Sequence, residues 1–231
     1  MPAQPAAPPS MRDRYRAQVR QEIKHAALRQ LAAAGAAGLS VSAIGKELGV
    51  SGPALYRYYA SRDDLLTELV IDAYDDLARA LRGAAGPEAG LEPRARLDVL
   101  ARAYRAWALA EPHRYRLLYG PPLPGYDAHA ERLVTAAEAA MDLLVEVIGE
   151  VDKPGGAYGG PPPAGSPLAG QLTAWAATYR PGTDPATALR AVLAWSRLHG
   201  FVSLEIAGNY ASMGIDPDPV FEIQLAGLIA L

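Results

Sequence analysis

Apolar residues recur at helical spacing along nearly the whole chain. Val19, Ile23, Ala27 and Leu31 step by four along one stripe and predict a helix over 12–34, closed by Gly35 and Gly38. A short helix over 41–48 follows, capped by Ser40, with Ile44 and Leu48 turned inward. After the turn Gly49-Val50-Ser51, a second short helix occupies 52–58; Pro53 falls in its first turn, where amides lack intrahelical partners. Ser61 with Asp64 three residues on gives a capping-box pattern and opens a helix to about 81, with Leu65, Leu69, Ala73, Leu77 and Leu81 as its stripe. Helices over 93–110, 113–119, 127–148, 168–179, 185–210 and 217–231 complete the pattern, separated by Gly/Pro breaks. No alternating β-branched run announces a strand. The expectation is an all-α fold of about nine helices: an N-terminal three-helix domain, then a larger helical domain.

Composition narrows the class. Of 231 residues 50% are hydrophobic and only 7% aromatic, enough for a sizeable core. The absence of cysteine excludes a disulfide scaffold, a thiolate metal site and a cysteine nucleophile. The Pro/Ala-rich residues 1–11 are expected to form a disordered tail, and the Gly/Pro-dense stretch at about 151–170 a flexible loop. The opening residues lack a signal-peptide core, and no run reaches the roughly 18 apolar residues of a membrane span. A soluble, cytoplasmic protein without a membrane partner is expected.

The formal charge of −3 conceals an asymmetry. Residues 1–62 carry nine Lys/Arg against Asp13, Glu22 and Glu47, a net of +6, whereas the remainder nets −9. A small basic head on an acidic body suits a DNA-binding module joined to a regulatory or assembly domain. The expected division is 1–11 tail, 12–62 DNA-binding domain and 63–231 effector-binding and dimerisation domain.

The segment 39–66, LSVSAIGKELGVSGPALYRYYASRDDLL, carries the chemistry. Two short helices joined by a glycine-containing turn make a helix-turn-helix, whose second helix enters the major groove. Leu39, Ile44, Leu48, Val50, Leu55 and Tyr59 are expected to close on Ile23, Ala27 and Leu31. The candidate DNA contacts are Ser42, Lys46, Ser51, Gly52, Pro53, Ala54, Tyr56, Arg57, Tyr58 and Arg62. The hydroxyls suit phosphate oxygens, Gly52 and Ala54 permit close approach, and Arg57 alone in the second short helix has the fork for a guanine edge.

Ile44-Gly45, Gly49-Val50-Ser51, Leu55-Tyr56-Arg57-Tyr58-Tyr59, Ser61-Arg62 and Leu65-Leu66 closely resemble the DNA-binding domain of TetR/AcrR-family transcriptional regulators. The resemblance implies Tyr56, Tyr58 and Arg62 on phosphates and Tyr59 in the core. Gly45 stands where alanine is usual in the family, and Tyr59 where phenylalanine is commoner. Trp195, His199 and Gly200, with Ser203-Leu204-Glu205, resemble the WHG type of C-terminal domain. The resemblance further implies repression as the usual mode, with the helix from Ser61 transmitting a ligand-driven shift to the head.

A helix-turn-helix half-site is short, so a homodimer reading a palindromic operator is expected. The apolar stripes of the last two long helices, Leu193, Trp195, Leu198, Val202 and Ile206 with Phe221, Leu225 and Leu228, are the candidate interface; closure of the chain's own core explains them equally well. Tyr104, Trp107, Tyr115, Leu118, Tyr119, Tyr126, His129, Met141, Trp175 and Tyr179 form a candidate site for a small, mostly apolar effector. Singly, each also fits plain core. The four histidines are scattered, and neither a metalloprotease pair, a nucleophile elbow nor a phosphate loop occurs, so no enzyme, cofactor or metal is expected. A helical adaptor or structural dimer without ligand-switched DNA binding would explain the body but not the head. An activator also remains open.

Overall fold

The computed structural model describes residues 10–120, 126, 131–151 and 162–229. Eleven α-helices and two short 3-10 turns account for them, with no strand among the described residues. The fold is all-α, as the periodicity requires. The expected tail lies, but for its last two residues, outside the described residues, as does half of the expected loop, residues 152–161.

Two compact units divide the chain: Met1–Val70 with Gly120–Ala128, and Ile71–Tyr119 with His129–Leu231. In the first, α1 (Met11–Ala34) starts at a reciprocal box in which Ser10 Oγ accepts from the Asp13 amide and Asp13 accepts from the Ser10 amide, both at 3.2 Å. The helix α2 (Val41–Leu48) begins at Ser40, whose Oγ accepts from the Ala43 amide, and ends at Gly49 with φ 67°, a left-handed turn that glycine makes without strain. Only Gly52–Leu55 is α-helical in α3. Beyond it the amides of Arg57 and Tyr58 bond three residues back rather than four, so the expected helix to 58 tightens into a turn.

The long α4 (Arg62–Ala85) runs from the first unit into the second. Its capping differs from the expected box: Ser61 Oγ accepts from the Asp64 amide, but Asp64 accepts from Ala60 rather than Ser61. Ile23, Ala27, Leu31, Leu39, Ile44, Leu55, Tyr59, Leu65, Leu66 and Leu69 are buried in the first unit, whereas Leu48 and Val50 are only half-buried.

The second unit contains the rest of α4, α5 (Pro93–Ala110), α6 (Pro112–Tyr119), α7 (Glu131–Glu150), α8 (Pro167–Tyr179), α9 (Pro185–Ile206), α10 (Asn209–Ser212) and α11 (Pro217–Ile229). Gly208, φ 78°, stops α9 short of the expected residue 210 and sets α10 apart. One apolar core joins α4, α5, α6, α7, α9 and α11. Arginines of α5 fasten its edges. Arg96 donates to the Ala85 carbonyl that ends α4 and to Glu146 and Glu150 of α7, while Arg105 donates to Glu205 of α9 at 2.6 Å and to Asp218 of α11 at 2.5 Å. Arg102 adds a fork onto Glu222 of α11.

Candidate DNA-binding and effector sites

In the head, the α2–turn–α3 geometry decides what can reach outward. Ser42, Lys46, Ser51, Pro53, Tyr56 and Arg57 are exposed, and Gly52, Ala54, Tyr58 and Arg62 half-exposed. Tyr56 is 56% exposed, with its ring and hydroxyl both open to a partner. Leu55 and Tyr59 anchor the opposite side in the core.

Close approach of the two short helices depends on Gly45. A Cβ there would lie 2.8 Å from Leu55 Cδ1 and 3.0 Å from the Val50 carbonyl oxygen. An alanine at this position would need Leu55 or the turn at Val50 to shift.

Arg62, half-exposed, is also engaged within the head. Its Nε donates to the Leu39 carbonyl at 3.0 Å and its Nη2 to the Ala36 carbonyl at 2.7 Å, so the guanidinium ties α4 to the chain entering α2. Lys24 is also internal, paired with Glu68 at 3.5 Å. Tyr59 is buried with no hydrogen-bond partner for its hydroxyl; the Arg20 guanidinium lies over its ring, 4.9 Å from the centroid. Burial pushes the phenol up, and nearby Arg20 and Lys24 oppose that.

In the body, the ten candidate effector residues separate. Tyr104, Tyr119 and Met141 line a cavity of about 40 Å³, together with Leu77 and Leu81 of α4 and Trp195 of α9. Tyr104 is 5% exposed and its buried hydroxyl has no partner. Burial holds the phenols of both Tyr104 and Tyr119 far above their ordinary value, so both are neutral. Behind them, the Tyr115 hydroxyl lies 2.9 Å from His199 Nδ1.

The others serve elsewhere. Trp107 donates from its indole N–H to Asp76, which also holds Arg114 and Arg79. Leu118 packs against the main core. Trp175 and Tyr179 pair edge-on along α8, centroids 5.1 Å apart. Tyr126 belongs to the head's unit, with its hydroxyl 3.1 Å from Thr67 Oγ1. His129 lies outside the described residues.

The expected interface also divides. Leu198, Val202, Phe221, Leu225 and Leu228 are buried within the single chain, so they close its own core and offer no surface to a partner. Trp195 and Ile206 are half-buried against that core, and Leu193 is half-buried. Trp195 and Leu198 instead serve as cavity walls. The outward faces carry other residues: Ser196 and Ser203 on α9, Ala207 just past its end, and Pro219, Ile223 and Ala226 on α11, with Ile223 75% exposed. Small and polar residues give no hydrophobic signal, so periodicity alone does not single out Ser196, Ser203 and Ala207.

Among the described residues no three acidic or histidine side chains gather to hold a metal, and no helix is long and apolar enough to cross a membrane. The model of the tetR family of bacterial regulatory proteins matches residues 23–69, and that of the tetracyclin repressor-like C-terminal domain matches residues 97–228. The HTH-type transcriptional regulator Rv1816 of Mycobacterium tuberculosis is 35% identical over 217 residues, 94% of this chain and 93% of that protein. The solved regulatory protein SCO4313 is 41% identical, covering 96% of this chain and 100% of that one, with a TM-score of 0.77. The Bacillus subtilis regulator FadR, solved with stearoyl-CoA, shares the fold at 13% identity and a TM-score of 0.60 over 90% of this chain and 97% of that one. These relatives are regulators, not enzymes, and the chain belongs to the TetR family of DNA-binding transcriptional regulators.

Proposed function

We propose that the chain is a homodimeric repressor that holds a palindromic operator and releases it when an uncharged, mostly apolar effector enters the body. The observation that carries this reading is the cavity bordered by Tyr104, Tyr119, Met141 and Trp195, whose lining includes no charged side chain. Its volume of about 40 Å³ is well below that of a ligand site, roughly 300 Å³ or more. An effector must therefore part the walls. Two of those walls, Leu77 and Leu81, belong to α4, the same continuous helix whose Leu65, Leu66 and Leu69 are core residues of the head. Differential affinity of the effector for the widened state is what couples it to DNA, and DNA opposes the effector by the same free energy.

Dimerisation is assigned to the outward stripes of α9 and α11. Small residues at Ser196, Ser203 and Ala207 allow close helix approach, and Ile223 supplies apolar area that water otherwise covers. Two heads then address half-sites about 34 Å apart or a near multiple. In the head, the reading assigns Ser42, Lys46, Ser51, Tyr56 and Tyr58 to phosphates and Arg57 to a base edge.

The test is selection of bound duplexes from random sequence by the purified full-length protein. A single palindrome with a fixed half-site spacing is expected; an asymmetric motif overturns the dimeric reading.

A further inference from the structure

Nine Lys/Arg lie among residues 1–62, but several of them are already engaged within the fold. Lys24 is paired with Glu68, Arg29 donates to Glu47, and Arg62 is bonded to two carbonyls. Besides Lys46 and Arg57 in the helix-turn-helix, what remains open lies at the start of α1. Residues 11–18 are exposed on every side, and burial along this helix begins only at Ile23. These turns add nothing to the head's core. They carry Arg12, Arg14 and Arg16, while the nearby acid, Asp13, is folded back onto Ser10.

Arg12, Arg16 and Arg20 stand at i, i+4 and i+8, and so share one helix face. The inner two fix where that face looks. Arg20 lies over the ring of Tyr59, and Arg16 Nη2 donates to the Arg57 carbonyl at 3.3 Å. The row thus starts beside the segment that follows α3 and runs outward from it, with Arg12 about 6 Å beyond Arg16 along the axis. Arg12 and Arg14 have no hydrogen-bond or ion-pair partner among the described residues. Arg14, about half a turn round, is as exposed and as charged as Arg12 but points away from this edge.

We infer that the Arg12–Arg16 edge of α1 is a second DNA-contacting surface, taking backbone phosphates that flank the segment addressed by α3. The inference rests on DNA binding by the head. The row precedes residues 23–69, the stretch that the family model matches, so it is a feature of this chain outside the matched segment. Duplex DNA presents one negative charge per roughly 1.7 Å of axis, and a guanidinium fork suits phosphate oxygens. Such contacts position the protein without reading sequence.

The experiment measures binding of the full-length protein to a duplex selected from random sequence, over a series of salt concentrations. Arg12→Gln is expected to make the slope of log affinity against log salt shallower by about 0.9 for each bound subunit. The same sequence should still be selected. Trimming the duplex to the core addressed by α3 should remove the difference between Arg12→Gln and wild type, and Arg14→Gln should behave as wild type throughout. A wild-type slope for Arg12→Gln overturns the inference. So does an equal loss for Arg14→Gln, which would reduce the effect to net charge. Failure of the wild-type protein to bind any duplex overturns the DNA-binding reading itself, and is distinguished by leaving no slope to compare.

Discussion

Trp195 and His199, one turn apart on α9, stack with ring planes 10° from parallel and centroids 5.4 Å apart, and the far side of the imidazole environment is closed by Tyr115 and Tyr119. Desolvation by these rings pushes the His199 pKa below its ordinary value of about 6.5. The folded state therefore resists a proton that the unfolded chain accepts. Stability from this source is complete above about pH 6.5 and is lost as pH falls from there toward the lower folded value. Urea midpoints at pH 7.5 and 5.5 should fall further for wild type than for His199→Gln, which keeps a hydrogen-bonding partner for Tyr115 without titrating. Parallel pH dependence in the two proteins would defeat this account. The carboxylate of Glu146, held below its ordinary range first by Arg96 and then by Arg180, contributes in a separate and more acidic window.

Arg105 joins three helices: it reaches Glu205 and Asp218 while lying over Phe221, 4.7 Å from the ring centroid. Glu205 has 10% side-chain exposure, so removing its partner strands a carboxylate in a poorly solvated place. Arg105→Ala is expected to destabilise the body by about 3 kcal/mol. Chemical denaturation measures this, and Arg105→Ala with Glu205→Ala should recover a large part of the loss. A loss below about 1 kcal/mol would mean that the pair is screened as a surface pair is.

The glycine at position 45 sets two tendencies against each other. Alanine gains about 1 kcal/mol of intrinsic helix propensity. Against this, its Cβ would meet Leu55 Cδ1 at 2.8 Å and the Val50 carbonyl at 3.0 Å. The Leu55 methyl sits in a filled core, and the carbonyl belongs to the turn that presents α3, so neither yields freely. Gly45→Ala is expected to lower head stability by about 1 kcal/mol net and to weaken DNA binding, measured by melting and by titration of a selected duplex. A stabilised variant with unchanged binding refutes the packing requirement.

How far the sequence spoke for the structure differs between the two units. In the head, caps and turn residues sit within a few positions of one another, so Ser40, Gly49 and Leu55 could be assigned from local spacing alone. The internal role of Arg62 could not, because its carbonyl partners at Ala36 and Leu39 are fixed only when α4 folds back. In the body, periodicity marks Leu198, Val202 and Phe221 as apolar stripes, which fit a partner interface and the chain's own core equally well. The distinction arises from which helices meet. Aromatic composition groups Tyr126 and Trp175 with Tyr104, whereas the fold gives Tyr126 to the head's unit and pairs Trp175 with Tyr179 along α8.

The hydroxyl of Tyr59 is a second legible departure with an energetic consequence. Phenylalanine is the commoner residue there in the family the motif resembles, and the tyrosine hydroxyl is buried without a hydrogen-bond partner. Leaving such a group unpaired costs about 1–3 kcal/mol, part of which the Arg20 contact with the ring offsets. Tyr59→Phe keeps the ring and is expected to stabilise the protein by about 1 kcal/mol, a rise of roughly 2–4 °C in Tm. A fall in Tm would show that the hydroxyl is bonded in solution.

Tyr104 presents the same physics with a functional consequence. Its hydroxyl is buried and unpartnered, and its ring borders the cavity proposed to widen around the effector. Tyr104→Phe should therefore stabilise the ligand-free protein by about 1 kcal/mol, because an unpaired polar group is removed at constant shape. It should also remove an advantage that wild type gives to effectors carrying one neutral polar atom. Competition of 1-octanol, octane and octanoate against a bound duplex, read by fluorescence anisotropy, separates the two effects. Wild type is expected to respond to octanol at the lowest concentration and to octanoate at the highest, since no cation lines the cavity. Tyr104→Phe should bring octanol and octane closer together while leaving octanoate last. If octanoate is the strongest competitor, the effector is held elsewhere, by cations that do not border this cavity.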